Sequence, residues 1–161
     1  MAAMRLQASD GKALLIVGAS CYNGRWYCNV FLEAENEIIK LGEGGFEQIR
    51  SQMLSSLHPP YETKKGVFCG KEVDFFWIFN LMGPHAAIYG VPINKNNEGN
   101  EPNITREISL YWQTADGTRH YMVKLSEEYI QSWLKILKNT EQLPEARVDT
   151  VSTEKNRELP T

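Results

Sequence analysis

The chain has 161 residues, of which 42% are apolar and 11% aromatic, enough for one domain with a sizeable core. Its formal net charge is −3. Residues after Lys138 hold −2 of this, with Glu141, Glu145, Asp149, Glu154 and Glu158 against Arg147, Lys155 and Arg157. The near-neutral remainder argues against nucleic acid as the main partner, because such binding rests largely on phosphate neutralisation, although it leaves room for a local basic patch.

Residues 1–11 read as a loose start ending in Asp10-Gly11. They lack the continuous apolar run of a secretory leader. No apolar run in the chain approaches the about 18 residues that a membrane helix needs. Three cysteines, an odd number, fit a reducing compartment better than a disulfide scaffold. The expectation is a cytoplasmic protein with no membrane contact.

Lys12 to Ser20 reads as a strand, Asn23-Gly24 as a type I′ turn, and Arg25 to Glu33 as the returning strand. Counting outward from that turn opposes Cys21 to Trp26, Ala19 to Cys28, Val17 to Val30 and Leu15 to Leu32, a uniformly apolar face. Glu37 to Leu41 is a short third strand, and Gly42 to Gly45 a glycine-rich loop. Phe46 to Leu57 reads as a helix with Phe46, Ile49, Met53 and Leu57 on one stripe, stopped by His58-Pro59-Pro60.

A further hairpin is expected from Val67 to Leu81 about Gly70-Lys71, and Phe75–Phe79 is apolar on both faces. That run fits a central strand or a subunit interface. Gly83-Pro84 turns the chain into a strand from Ala86 to Ile93, with Pro92 at an edge or an end. Asn94 to Asn103 is a polar loop.

The stretch from Ile104 to Lys138 is the most explicit. Asp116-Gly117 specifies a second type I′ turn. From it, Trp112 faces Tyr121, Leu110 faces Val123 and Ile108 faces Leu125 on one apolar side. Gln113 faces His120, Tyr111 faces Met122 and Ser109 faces Lys124 on the other. A slip of one residue would destroy that sorting. Ser126 stands at the N-cap of a helix with Glu127 and Glu128 in its first turn. Ile130, Trp133, Leu134 and Leu137 form its stripe, Lys135 and Lys138 suit its C-terminal end, and Asn139 closes it.

The fold class is therefore α+β: an antiparallel, curved sheet built from hairpins, with two amphipathic helices packed on it. Residues 1–140 form a single α+β domain, and 141–161 a flexible polar C-terminal tail. Strands ending in a helix occur in two successive blocks, a hint of internal duplication without a residue-level repeat.

Chemistry is sparse. Cys21 and Cys28 would share a face as diagonal neighbours, roughly 7–8 Å apart and long for a disulfide. No CxxC or HxxxH spacing supplies further ligands, so core packing is the commoner role, and no metal or cofactor is expected. His58, His85 and His120 are scattered, and Cys69 with His85 is the one Cys/His pair left open. No G-x-S-x-G pattern occurs. Glu72 and Asp74 flank a very apolar strand, where Asp74 is a candidate buried carboxylate, more commonly a structural one. Gly42 to Gly45 before a helix could cradle an anion, but it lacks the P-loop lysine and carries Glu43. A calcium-loop reading of Asn94–Thr105 fails where Thr105 replaces the bidentate Glu.

The best binding candidate is the mixed face of the last hairpin: Tyr111, Gln113, His120, Met122 and Lys124, with Arg119 near the turn. Aromatic and basic groups on a sheet are a common means of holding single-stranded nucleic acid. The blocks of strands followed by a helix resemble, in arrangement only, Whirly-type single-stranded-DNA-binding domains. No motif of that family occurs, so no residue role follows from the resemblance. The leading expectation is a non-enzymatic binding or interaction protein that self-associates, as a homodimer, through its sheet. The alternatives are a single-stranded nucleic-acid binder and a small cytoplasmic enzyme with an unrecognised active site.

Overall fold

Two antiparallel meanders, each followed by a helix, make up the described chain. The structure, a computed structural model, describes residues 1–58, 64–68, 71–79, 81, 85–92, 107–114 and 118–145. Strands β1 (Ala3–Gln7), β2 (Ala13–Tyr22), β3 (Arg25–Glu33) and β4 (Ile38–Gly45) form the first sheet in that order, and α1 (Phe46–Leu57) follows without a connector. Strands β5 (Lys64–Phe68), β6 (Lys71–Phe79), β7 (His85–Pro92), β8 (Glu107–Thr114) and β9 (His120–Ser126) form the second, and α2 (Glu127–Lys138) follows. The class is α+β as the pattern implies, with two open sheets instead of one.

The β8–β9 register agrees with the sequence at all six expected pairs, from Ile108 opposite Leu125 to Gln113 opposite His120. Ile108, Leu110, Trp112, Val123 and Leu125 are buried, as alternation requires. The first turn also forms: Asn23 and Gly24 both have positive φ, 55° and 76°, as a type I′ turn demands.

The β2–β3 register departs from expectation beyond that turn. Cys21 opposes Trp26 and Ser20 opposes Tyr27, but Gly18, not Ala19, opposes Cys28. A bulge at Ala19 shifts every later pair by one, so Ile16 faces Val30 and Leu14 faces Leu32. The core face of β2 is thus Leu14 and Ile16, both fully buried, while Leu15 and Val17 point outward and are half-buried. The Trp26 ring lies on Gly18, where a Cβ would come within 2.7 Å of it.

Three further expectations are corrected. The start of the chain is not loose: β1 pairs with β2, and Asp10-Gly11 is their turn, with Gly11 at φ 88°. Gly42 to Gly45 is not a loop but the second half of β4, paired to β3. Gly44 lies beside Ile49 of α1, where a Cβ would come to 3.4 Å of the Ile49 side chain. The loop of the β5–β6 hairpin is one residue earlier than expected, since Phe68 opposes Lys71. β7 is a central strand, with Pro92 as its last residue.

The helices lock the two sheets into one core. α1 packs chiefly on β6 and also on β3 and β4, and Ser56 Oγ donates to the carbonyl of Ile78 at 3.1 Å. α2 packs on β9 and on β1. Both expected stripes are buried, Phe46, Ile49, Met53 and Leu57 on α1, and Ile130, Trp133, Leu134 and Leu137 on α2. Ser126 is the N-cap residue but makes no side-chain cap bond. Asn139 ends the helix at φ −91°, not in the left-handed region. The Asn139 amide still caps the helix, donating to the Lys135 carbonyl at 3.2 Å. Arg50 reinforces the end, with Nε donating to the carbonyl of Leu137 at 2.8 Å and the guanidinium reaching that of Lys138 at 3.4 Å.

The segment expected as a tail begins docked. Leu143 is buried, the amide of Ala3 donates to the carbonyl of Pro144 at 2.8 Å, and Ala2 forms a β-bridge with Glu145. The remainder of that segment, the Asn94–Asn103 loop, the Asp116-Gly117 turn and Cys69 lie outside the described residues.

Candidate functional site

The candidate face is built by alternation on β8 and β9. Because Ile108, Leu110 and Trp112 turn into the core, Ser109 and Tyr111 turn outward, opposite Lys124 and Met122. Tyr111 and Met122 are half-buried, and His120 and Lys124 are exposed. Ser109 is 2% exposed, so the open part of the face is the half nearer the turn. The backbone of Gln113 pairs with His120, and its side chain lies outside what is described.

The neighbouring strands extend the row. Through main-chain pairing, Trp77 on β6 faces Tyr89 on β7, Tyr89 faces Tyr111 on β8, and Tyr111 faces Met122 on β9. Toward the far edge, Phe75 opposes Lys64 and is half-buried, with its ring against Gly66, where a Cβ would stand 2.7 Å from it. This alignment comes from pairing between strands far apart in sequence.

Arg119 departs from the site. Its guanidinium carbon lies 5.5 Å from the centroid of the Tyr121 ring, a cation–π contact on the Trp112 side of the ribbon. It therefore does not join Tyr111 and Met122.

The β9 edge beside Lys124 is closed by the β1–β2 turn. The Lys124 amide donates to Asp10 Oδ2 at 2.9 Å, and its carbonyl accepts from Ser9 Oγ at 2.6 Å and the Ser9 amide at 3.0 Å. The Ser126 amide donates to Ser9 Oγ at 3.2 Å. Pairing of this kind blunts an edge that could otherwise recruit another strand. It also sets a carboxylate beside the basic end of the candidate face.

Asp74 is not a buried carboxylate. It is exposed and pairs with Lys65 Nζ at 3.0 Å, an interaction that raises the lysine pKa. On the outer face of the first sheet, Tyr27 Oη donates to Glu43 Oε1 at 2.9 Å, and Lys40 Nζ donates to Glu43 Oε2 at 2.8 Å. The Lys40 bond, then that of Tyr27, holds the Glu43 carboxyl below its usual range, and the bond to Glu43 raises the Tyr27 phenol.

The cysteines separate. Cys28 is fully buried, and desolvation pushes its thiol up to about 11, the opposite of activation. Cys21 is exposed beyond the bulge, so it is not the core residue expected. Among the described residues, no three His, Cys, Asp or Glu side chains gather as a metal site, and no helix is long and apolar enough to cross a membrane. Compared with known proteins, the chain matches no family model, no curated protein and no solved structure.

Proposed function

We propose that the chain is a non-enzymatic binding protein that works through the outward face of the β5–β9 sheet, with a second copy of itself as first partner. One observation carries this reading: the register that aligns Trp77, Tyr89, Tyr111 and Met122 across four strands. Aromatic residues and methionine are enriched where proteins meet, and charged residues are depleted there. Tyr111 and Met122 lie away from the buried Leu110 and Trp112, so the core does not use them. Light scattering tests the proposal. The expected result is a dimer at micromolar concentration that Met122→Lys converts to a monomer with an unchanged circular dichroism spectrum. A monomeric native chain would refute self-association.

Single-stranded nucleic acid is the second reading, favoured by the exposed His120 and Lys124 beside Tyr111 and the exposed Lys64 opposite Phe75. Bases stack on aromatic side chains while cations follow the phosphates. Asp10, whose carboxylate sits at the β9 edge beside Lys124, opposes it. Fluorescence anisotropy with single-stranded DNA and RNA decides. Binding that weakens with salt and is lost in Tyr111→Ala supports this reading, and no binding at low salt ends it.

A further inference from the structure

On the helical side of the molecule, far in sequence from the β8–β9 ribbon, a depression of about 310 Å³ lies between the end of α1 and the last two turns of α2. Its lining is His58, Gln131, Leu134, Lys135, Lys138 and Asn139. Leu134 is its buried floor, and the polar residues around it are exposed. Among the described residues no carboxylate lines it, in a chain whose net charge is −3. Among the described residues, neither lysine and not His58 has an ion-pair partner. Gln131 Nε2 donates to Glu127 Oε2 at 2.9 Å, one turn away from the lysines.

The C-terminal end of a helix normally repels anions, because its last carbonyls carry negative partial charge. Here Arg50 already donates to the carbonyls of Leu137 and Lys138. The guanidinium offsets that field and releases Lys135 and Lys138 from the usual task of lysines at this position. Two ammonium groups one turn apart, an imidazole and two side-chain amides can then converge as donors on one anionic group. The size lies at the lower end of ligand pockets, about 300–1,000 Å³.

We propose that this depression binds a phosphoryl group, carried either by a small phosphorylated molecule or by a nucleic-acid backbone. The inference is independent of the sheet-face reading, since it shares no residue with it. The test is a ¹H–¹⁵N NMR titration of the full chain at fixed ionic strength, with inorganic pyrophosphate in one arm and single-stranded oligothymidylate in the other. Saturable shifts of the Gln131 and Asn139 side-chain amides are expected. Shifts with pyrophosphate assign a small-molecule source, and shifts with the oligonucleotide alone assign the backbone. Lys135→Gln with Lys138→Gln should weaken binding by about tenfold or more, and Lys135→Gln alone by less. Both positions are exposed, so circular dichroism should not change. Absence of saturation, equal shifts with sodium chloride, or undiminished binding by the double variant would overturn the proposal.

Discussion

The indole Nε1 of Trp133 donates a 2.6 Å hydrogen bond to the main-chain carbonyl of Gln7, joining the last helix to the first strand. Trp133 is fully buried and Gln7 half-buried, so the bond is partly shielded from water, where an abandoned partner is costly. Trp133→Ala should cost about 3–5 kcal/mol in a urea melt. Trp133→Phe keeps most of the ring volume but orphans the Gln7 carbonyl, and should cost about 2 kcal/mol. Trp112 is a control of opposite sign, since its buried Nε1 has no hydrogen-bond partner among the described residues. Trp112→Phe removes an unsatisfied donor and should therefore cost less than Trp133→Phe, by about 1 kcal/mol. Equal costs would mean that the Gln7 bond contributes nothing.

Asn139 closes α2 as its C-cap, its amide donating to the Lys135 carbonyl at 3.2 Å, and Arg50 adds side-chain bonds to the last carbonyls. Arg50→Ala should destabilise the chain by about 1–2 kcal/mol, through lost bonds to helix-end carbonyls. Arg50→Lys should restore little, because an ammonium lacks the planar fork that reaches two carbonyls. Hydrogen exchange should show the loss first in the amides of the last turn of α2. Full rescue by lysine would reduce the role of Arg50 to its charge alone.

Gly18 and Trp26 form a coupled pair. A Cβ at Gly18 would stand 2.7 Å from the Trp26 ring, so Gly18→Ala must displace the indole. The expected cost is about 1–3 kcal/mol, the range for overpacking. In a Trp26→Leu background the same change should cost much less. A double-mutant cycle measures that coupling, and additive costs would place the strain elsewhere.

The buried thiol of Cys28 sets a pH dependence. Its pKa is raised from 9.0 in the ordinary case to about 11 by desolvation. Between these values the unfolded chain releases a proton that the folded chain keeps, so ν of the unfolded state is the smaller and stability falls as pH rises. Below the lower value the group contributes no slope. Cys28→Ala should lower stability overall, yet flatten its decline from about pH 9 to 11 relative to the native chain. Parallel declines in urea melts across that range would rule the thiol out as a cause. In the folded chain, thiol reagents should modify Cys21 and spare Cys28.

The sequence by itself determined what is local. A type I′ dipeptide fixes which residues face each other, and period-two alternation then assigns the faces, so the β8–β9 register could be read to its last pair. The stripes of α1 and α2 were legible for the same reason, since their spacing repeats within a few residues. The same logic was available for β1, where Ala2, Met4, Leu6 and Ala8 are buried and Asp10-Gly11 turns the chain.

Tertiary structure decided the rest. A register counted from a turn holds only until a bulge, and nothing local marks Ala19 as one, apart from the neighbour that needs an indole laid upon it. Glycines 42, 44 and 45 read as a loop until their pairing with β3 makes them strand. Arg119 is near Tyr111 in a list of letters, and the Tyr121 ring draws it to the other face. The candidate surface was legible only in its β8–β9 portion. Its continuation through Tyr89 and Trp77 depends on which strands lie side by side, and that is set by long-range burial: α1 on β6, α2 on β1, and the Trp133 indole on the Gln7 carbonyl. Local periodicity records which face of an element is apolar, but the partner that covers that face is chosen only when the elements meet.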